Sequence, residues 1–148
     1  MNYSIHFREI DAAFIARVVL GVLFFLQGFD KVFRLGLKQV FQTVHAPLAA
    51  KGIPAFVSHI GVCFTSYVEL IGGAFLIIGF LKYYCLCLLG FDLLFAVIIF
   101  GIIEPVWDMK HIFPRVALLL FLLIIPAQWD ILSIDHLWSL NQFIKSTF

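Results

Sequence analysis

Several apolar runs approaching twenty residues, parted by short polar breaks, decide what this chain can become. A helix of that length rises about 1.5 Å per residue and matches the hydrocarbon thickness of a bilayer. The backbone has no water to bond there, and a helix satisfies its own hydrogen bonds within one segment. The charge balance agrees. Of 148 residues, 63% are hydrophobic and 13% charged, about half the charged share of a soluble domain, and mean hydropathy is +1.06. These features predict an all-α integral membrane protein forming a single domain over residues 1–148. The net charge is +1 with no basic cluster, so nucleic acid is not an expected partner and the lipid bilayer is.

Taken in order, the polar opening MNYSIHFREID leads to a first span over about residues 12–33, with Asp11 a candidate N-cap. Residues 34–55 alternate at helical spacing. Leu37, Phe41, Val44 and Leu48 can share one face, and Arg34, Lys38, Gln42 and His45 another. This predicts an amphipathic segment lying in the interface between helices one and two, with an ordinary loop as the alternative. Pro47 is expected to break it, and Gly52 and Pro54 to turn the chain. A second span over about 56–81 is followed by a tight turn at Lys82-Tyr83-Tyr84, anchored by its aromatics. The third span covers about 84–103. After the polar stretch from Glu104 to His111, a fourth covers about 113–127, with Pro114 in its first turn and Pro126 ending or kinking it. The tail from Trp129 is amphipathic and aromatic. The expected fold is four transmembrane helices in an antiparallel bundle.

Four spans place both termini on one side. That side carries Arg8, Lys82 and Lys145, and the other carries Lys31, Arg34, Lys38, Lys51, Lys110 and Arg115. The excess assigns the first and third loops to the cytoplasm and both termini to the outside. The first apolar run is too long for a signal-peptide core and lacks a small-residue cleavage site.

Charges within such runs carry the chemistry. Arg17, Gly21, Phe24, Gly28 and Lys31 recur at spacings of four, three, four and three, forming one stripe that is the expected inward face of helix one. Arg17 lies about 7 Å from that span's midplane by helical rise. Glu69 and Asp92 fall near the centres of the second and third spans, and Arg115 at the entry to the fourth. Unpaired charges at such depth are costly, so the carboxylates must face inward and be neutralised by a proton or a partner. Arg17 is expected to reach toward Glu69 or Asp92, and Gln27 to offer an uncharged partner. Lys31 and Arg115 are expected to snorkel to lipid phosphates. Gly21, Gly28, Gly72 and Gly73 are candidate helix-packing positions, because small residues let helices approach closely.

Two readings of the buried charges follow. One is a polar clasp that fixes helix packing. The other is a proton-relay or ligand site for a polar head group, a quinone or similar redox lipid being the natural candidate. Carboxylate, arginine and glutamine can exchange protons and hydrogen bonds with a carbonyl-bearing ring.

The remaining reactive side chains add little. Cys63, Cys85 and Cys87 lie in or beside apolar runs, and one residue between thiols fits neither a redox pair nor a usual zinc spacing. They read as small apolar membrane residues. His6, His45, His59, His111 and His136 occupy tails, loops or span ends, a pattern that does not support bis-histidine haem ligation. No metal-ligand spacing, nucleophile–histidine–acid set or phosphate loop stands out.

The order of short motifs resembles one family. Arg17-Val-Val-Leu-Gly21 followed by Gly28-x-x-Lys31 resembles the opening helix of the DoxX family of small membrane proteins. Ala50-Lys-Gly-Ile-Pro54 resembles the element before its second helix, and Glu69-Leu-Ile-Gly-Gly73 with Gly79 its second-helix signature. Arg115 to Pro126, then Ser133-Ile-Asp135, resembles its last helix and Ser-Leu-Asp close. The likeness runs over about residues 15–137. Gln27 stands where many members carry a histidine. The resemblance implies a four-helix bacterial inner-membrane protein, with some relatives tied to quinone-linked membrane redox complexes and others resembling assembly factors.

Three functions are therefore open. The chain could be a redox-associated subunit handling a quinone or working with a partner subunit. It could be a non-catalytic scaffold or assembly factor for a larger complex. Transport would need a homo-oligomer, since four helices leave little room for alternating access. Catalytic residues and cofactor are both unassigned by the sequence.

Overall fold

The computed structural model describes residues 7–103, 109–126 and 129–147. Among them the regular elements are all helical: α1 (Phe7–Phe29), α2 (Leu37–Ala49), α3 (Ala55–Ile78), α4 (Lys82–Ile103), α5 (Met109–Ile124) and α6 (Ile134–Thr147). A π-helical segment, Asp30–Arg34, continues α1 without a break. Its wider turn is closed by the Leu35 N–H donating to the Asp30 carbonyl at 2.8 Å. Such single π turns mark places where a helix re-aims its side chains, often at functional sites.

Three helices are long and apolar enough to cross a membrane: Phe7–Arg34, Ala55–Ile78 and Lys82–Ile103. The apolar helix Ile112–Ile124 is shorter. Bulky side chains such as Ile60, Ile71, Phe91, Leu94 and Ile98 are exposed on the outer faces of α3 and α4. A soluble protein would not present so continuous an apolar exterior; in lipid it is the favourable one.

Leu20 and Phe24 of α1, Leu76 of α3, Leu86, Leu89 and Leu93 of α4, and Leu119 and Leu122 of α5 form the buried core. The closest seam joins α1 to α3. A Cβ on Gly73 would lie 2.8 Å from the Gly21 carbonyl oxygen and 2.9 Å from the Phe25 Cα, and one on Gly28 would lie 2.7 Å from the Leu70 Cα. One on Gly21 would meet Ile77 at 2.8 Å. The two backbones are therefore in contact, a spacing that only glycine permits. Gly72 faces the other way, toward Leu89 of α4.

The boundaries differ from the sequence reading in instructive ways. Asp11 lies inside α1, which is already helical at Phe7, so it is not the cap. Pro47 sits inside α2 rather than ending it. Because it falls in the last turn, the single backbone bond it forfeits is cheap. Pro114 is likewise inside α5, which begins before it at Met109. The α3–α4 reversal comes earlier than the Lys82-Tyr83-Tyr84 turn, and those three residues already belong to α4. Gly79 ends α3 at φ 70°, a left-handed conformation suited to glycine. The Phe80 N–H then bonds back to the Phe75 carbonyl at 3.0 Å, and the two rings meet edge-on at 5.3 Å. The expected polar turn over Glu104–Asp108 lies outside the described residues.

The segment between α1 and α3 is a helix packed on the protein. Val40, Val44 and Leu48 of α2 line a cavity shared with α3 and α4. His45, expected on the outer face, turns inward, where its Nδ1 is 3.1 Å from Ser58 Oγ. Phe41 stacks on His45 at 5.0 Å and meets His59 edge-on at 5.6 Å.

Candidate functional site

The buried charges fall into two separate clusters, one at each half of the α1–α3 seam. The first is built around Arg17, which is fully buried. Its Nε donates to Asp130 Oδ1 at 3.1 Å. Its Nη1 donates to the carbonyls of Leu76 and Ile77 at 2.9 and 2.6 Å, and its Nη2 to the carbonyl of Leu132 at 2.6 Å. Lys82 Nζ closes the other side of Asp130, 3.0 Å from Oδ2. The Phe14 ring lies 5.5 Å from the guanidinium carbon. These carbonyls include ones that α3 leaves unpaired at its C-terminus, where a cation is also favoured by the helix dipole. Beside it, Asp135 accepts from the Leu81 and Lys82 N–H groups at 2.8 and 2.7 Å, capping α4. Ser133 Oγ donates to the Asp130 carbonyl at 2.8 Å. Together these contacts tie α1 and the 130–135 segment to the α3–α4 turn.

This overturns the expected role of Arg17. It reaches neither Glu69 nor Asp92. The reason is axial offset: with Gly28 against Leu70 and Gly21 against Ile77, Arg17 lies level with the end of α3 rather than its middle.

The second cluster holds the other candidates. Lys31 Nζ lies 2.8 Å from Glu69 Oε1 and 2.7 Å from Oε2. It is 20% exposed where Glu69 is 4% exposed. So Lys31 does not snorkel; the π turn at Asp30–Arg34 carries it onto the α1–α3 seam. Arg115 of α5 donates through Nη1 to Gln27 Oε1, with its guanidinium carbon 5.7 Å from the Phe24 ring. It too faces protein rather than lipid phosphate. Asp30 pairs instead with Arg34 at 3.1 Å on the exposed side. Asp92, 1% exposed, has an Oδ1 with no hydrogen-bond partner among the described residues.

Gln27, Lys31, Glu69 and Asp92 form the polar end of a cavity of about 130 Å³. Its walls are mostly apolar, with Val57, Gly61 and Val62 of α3, Phe95, Ala96, Ile99 and Phe100 of α4, and Val40, Val44 and Leu48 of α2, and the hydroxyl-bearing Ser58 and Thr65 of α3 line it too. A cavity of about 150 Å³ admits a benzene ring, so this one has room for one small ring and no more. An outer apolar groove of about 260 Å³ shares Val57, Gly61 and Phe95 with it. A wider vestibule of about 510 Å³, lined by Asp30, Ile112 and Arg115, shares Gln27, Lys31 and Phe100. The site thus has an apolar flank toward α3 and α4 and a polar flank toward α5.

Chemically, an ion pair that shares a cavity with a carboxylate oxygen left without a partner among the described residues can hold or pass a proton and can bond a polar head group. Among the described residues no group of histidine, cysteine and carboxylate side chains could hold a metal ion. Sequence reasoning did not single out Asp130, Ser58 or Phe95, and it read Lys82 only as a turn residue. Asp130 could have been flagged as a carboxylate just beyond Pro126, in a tail that otherwise looked interfacial.

The sequence profile of the DoxX family matches residues 12–102, which takes in α1 through nearly all of α4. Neither the curated proteins nor the solved structures contain a significant match. The match carries Arg17, Lys31, Glu69 and Asp92 together with the glycines of the α1–α3 seam, and it covers more than half of the chain: this multi-pass membrane protein belongs to the DoxX family.

Proposed function

We propose that the protein binds the head group of a lipid-soluble redox carrier, a quinone or a close relative, in the cavity between α2, α3 and α4. The observation that carries this reading is the shape of the chemistry. A ring-sized apolar cavity ends on Lys31, Glu69 and Asp92, at about the middle of α3 and α4. Ligand pockets have this character, mostly apolar with a few convergent polar groups. The groove that shares Val57, Gly61 and Phe95 gives an isoprenoid tail a way out to the bilayer. The vestibule beside Lys31 and Arg115 gives protons a way in. With no cofactor motif in its own chain, the protein would exchange electrons through a partner subunit, as a small redox-associated component of the inner membrane. In this arrangement α5 is the fourth span of an antiparallel bundle and both termini face the periplasm.

Titrating the purified protein in lipid nanodiscs with a short-chain benzoquinone analogue, whose head group is a single ring, tests the site. Saturable binding is expected, weakened about tenfold or more by Ala96→Phe, which fills the cavity, and by Glu69→Gln. Unchanged affinity in both variants removes the assignment.

The alternative is a scaffold or assembly factor for a larger complex. The Arg17–Asp130–Lys82 cluster favours it to this extent, that all of its polar contacts go into holding the fold. That role predicts co-purification with a partner complex that survives Ala96→Phe.

A further inference from the structure

Resting on the quinone-site reading, we infer that Gly61 decides which ligands the cavity accepts: it leaves the opening through which a ligand's apolar chain runs to the bilayer, and the Phe95 ring is the movable barrier on that opening. The ring-sized cavity has no room for a chain, so the chain must lie in a space that adjoins it. One such space is the vestibule, which shares Phe100 with the cavity and is lined by Gln27, Asp30, Lys31 and Arg115. An apolar chain there would part these polar groups from water, which is costly. The other is the outer groove, lined by Phe56, Val57, Ile60, Gly61, Phe64 and Phe95, with no polar side chain among them. Phe56, Ile60 and Phe64 are exposed, so a chain in this groove passes directly into the hydrocarbon.

Cavity and groove share Val57, Gly61 and Phe95. Val57 and Gly61 are one turn apart on α3, and Phe95 comes from α4. A Cβ on Gly61 would lie 3.0 Å from both Cε1 and Cζ of Phe95, and nothing else among the described residues, the local helix backbone aside, comes within 4 Å of it. The far edge of one ring therefore rests in the notch that the glycine leaves. A ring edge can swing between rotamers of its own side chain. At Gly28 and Gly73 the neighbours are backbone atoms, which have no such freedom. The glycines thus serve two ends. Those of the α1–α3 seam let two helices touch, whereas Gly61 leaves a passage closed by a single side chain. A larger residue at 61 would fill that passage even with the ring swung away.

Two probes test the inference by titration of the full chain in nanodiscs, referenced to empty nanodiscs: decylplastoquinone, and trimethylbenzoquinone, the same ring with a methyl group in place of the chain. Wild type should bind the two within about threefold of each other, because lipid accommodates the chain as well as the groove does. Gly61→Val is expected to weaken decylplastoquinone about tenfold or more, the scale of overpacking a fitted space, and trimethylbenzoquinone no more than about threefold. Phe95→Ala adds no bulk and tests the same opening should Gly61→Val not fold. It is expected to speed association of decylplastoquinone about tenfold, since no ring has to swing first. Equal loss of both probes in Gly61→Val, loss of neither, or an unchanged association rate in Phe95→Ala overturns the inference and leaves the quinone site standing. Binding of neither probe by wild type overturns both.

Discussion

Arg17 and Asp130 meet at 3.1 Å across 113 residues of sequence, and both are buried. The contact joins the first helix to the segment that follows the last apolar one. Asp130 also holds Lys82 at 3.0 Å, so three separate parts of the chain converge on one carboxylate. Removing the guanidinium takes a donor from the carbonyls of Ile77 and Leu132, and leaves that of Leu76 with the Gly79 N–H alone. Arg17→Leu is expected to lose about 3 kcal/mol of stability or more, since it removes one of the two cations on Asp130 and leaves buried carbonyls short of a donor. Arg17→Lys should recover little, because an ammonium cannot reproduce a fork that donates in four directions. Thermal unfolding in detergent measures both, and a melting temperature for Arg17→Lys equal to wild type contradicts the assignment.

Much of this was legible in the chain, and the rest was not for a physical reason. The stripe from Arg17 to Lys31 announces itself by spacing alone, and Arg17, Gly21, Phe24 and Gly28 are buried as a stripe predicts. Which acid each cation finds depends on how far one helix slides along another, and hydrophobic periodicity is silent on sliding. The offset is set where Gly73 meets Phe25 and Gly28 meets Leu70. The π turn at Asp30–Arg34, which brings Lys31 to Glu69, has no signature in residue type. Asp130 was hidden because its segment reads as tail, and only the fold brings it back to Arg17.

The glycine seam predicts a sharp contrast among alanine substitutions. A methyl on Gly73 would press on the Phe25 backbone and the Gly21 carbonyl, and neither is a flexible side chain that can move aside. Gly73→Ala and Gly28→Ala should each destabilise by about 1–3 kcal/mol through overpacking. Gly101 has nothing within 4 Å of its would-be Cβ, so Gly101→Ala should be neutral or slightly stabilising. Denaturation of the three variants side by side checks the ordering, and an equal response contradicts the close approach of α1 and α3.

Asp135 caps α4 from a distance of more than fifty residues, accepting from both the Leu81 and Lys82 N–H groups. It also fixes a turn under strain: Leu81 sits at φ 50°, where a side chain is unfavourable. Asp135→Ala should cost about 1–2 kcal/mol, as the loss of an N-cap does. Faster amide exchange should be confined to the α3–α4 turn and the first turn of α4. Exchange that rises uniformly over the chain would mean that Asp135 is not a local cap. Gly79→Ala should be more severe, since the left-handed backbone and a Cβ 2.6 Å from the Ser133 Cβ both oppose it.

The Lys31–Glu69 pair separates folding from ligand binding. Lys31→Met leaves Glu69, 4% exposed, and Asp92, whose Oδ1 has no hydrogen-bond partner among the described residues, on the same cavity without the ammonium. Two carboxylates in that setting should destabilise the protein by about 3 kcal/mol. Replacing both partners, Lys31→Met with Glu69→Met, removes the stranded charge and should restore most of that loss, because an apolar pair of similar volume suits the seam. If the cavity is a ligand site, the double variant folds yet binds the benzoquinone analogue no better than Lys31→Met does. If the pair is only a clasp, stability and every other property return together. Measuring the melting temperature and the ligand affinity of both variants in the same nanodiscs distinguishes the two, since only a ligand site lets the fold recover while the affinity stays lost.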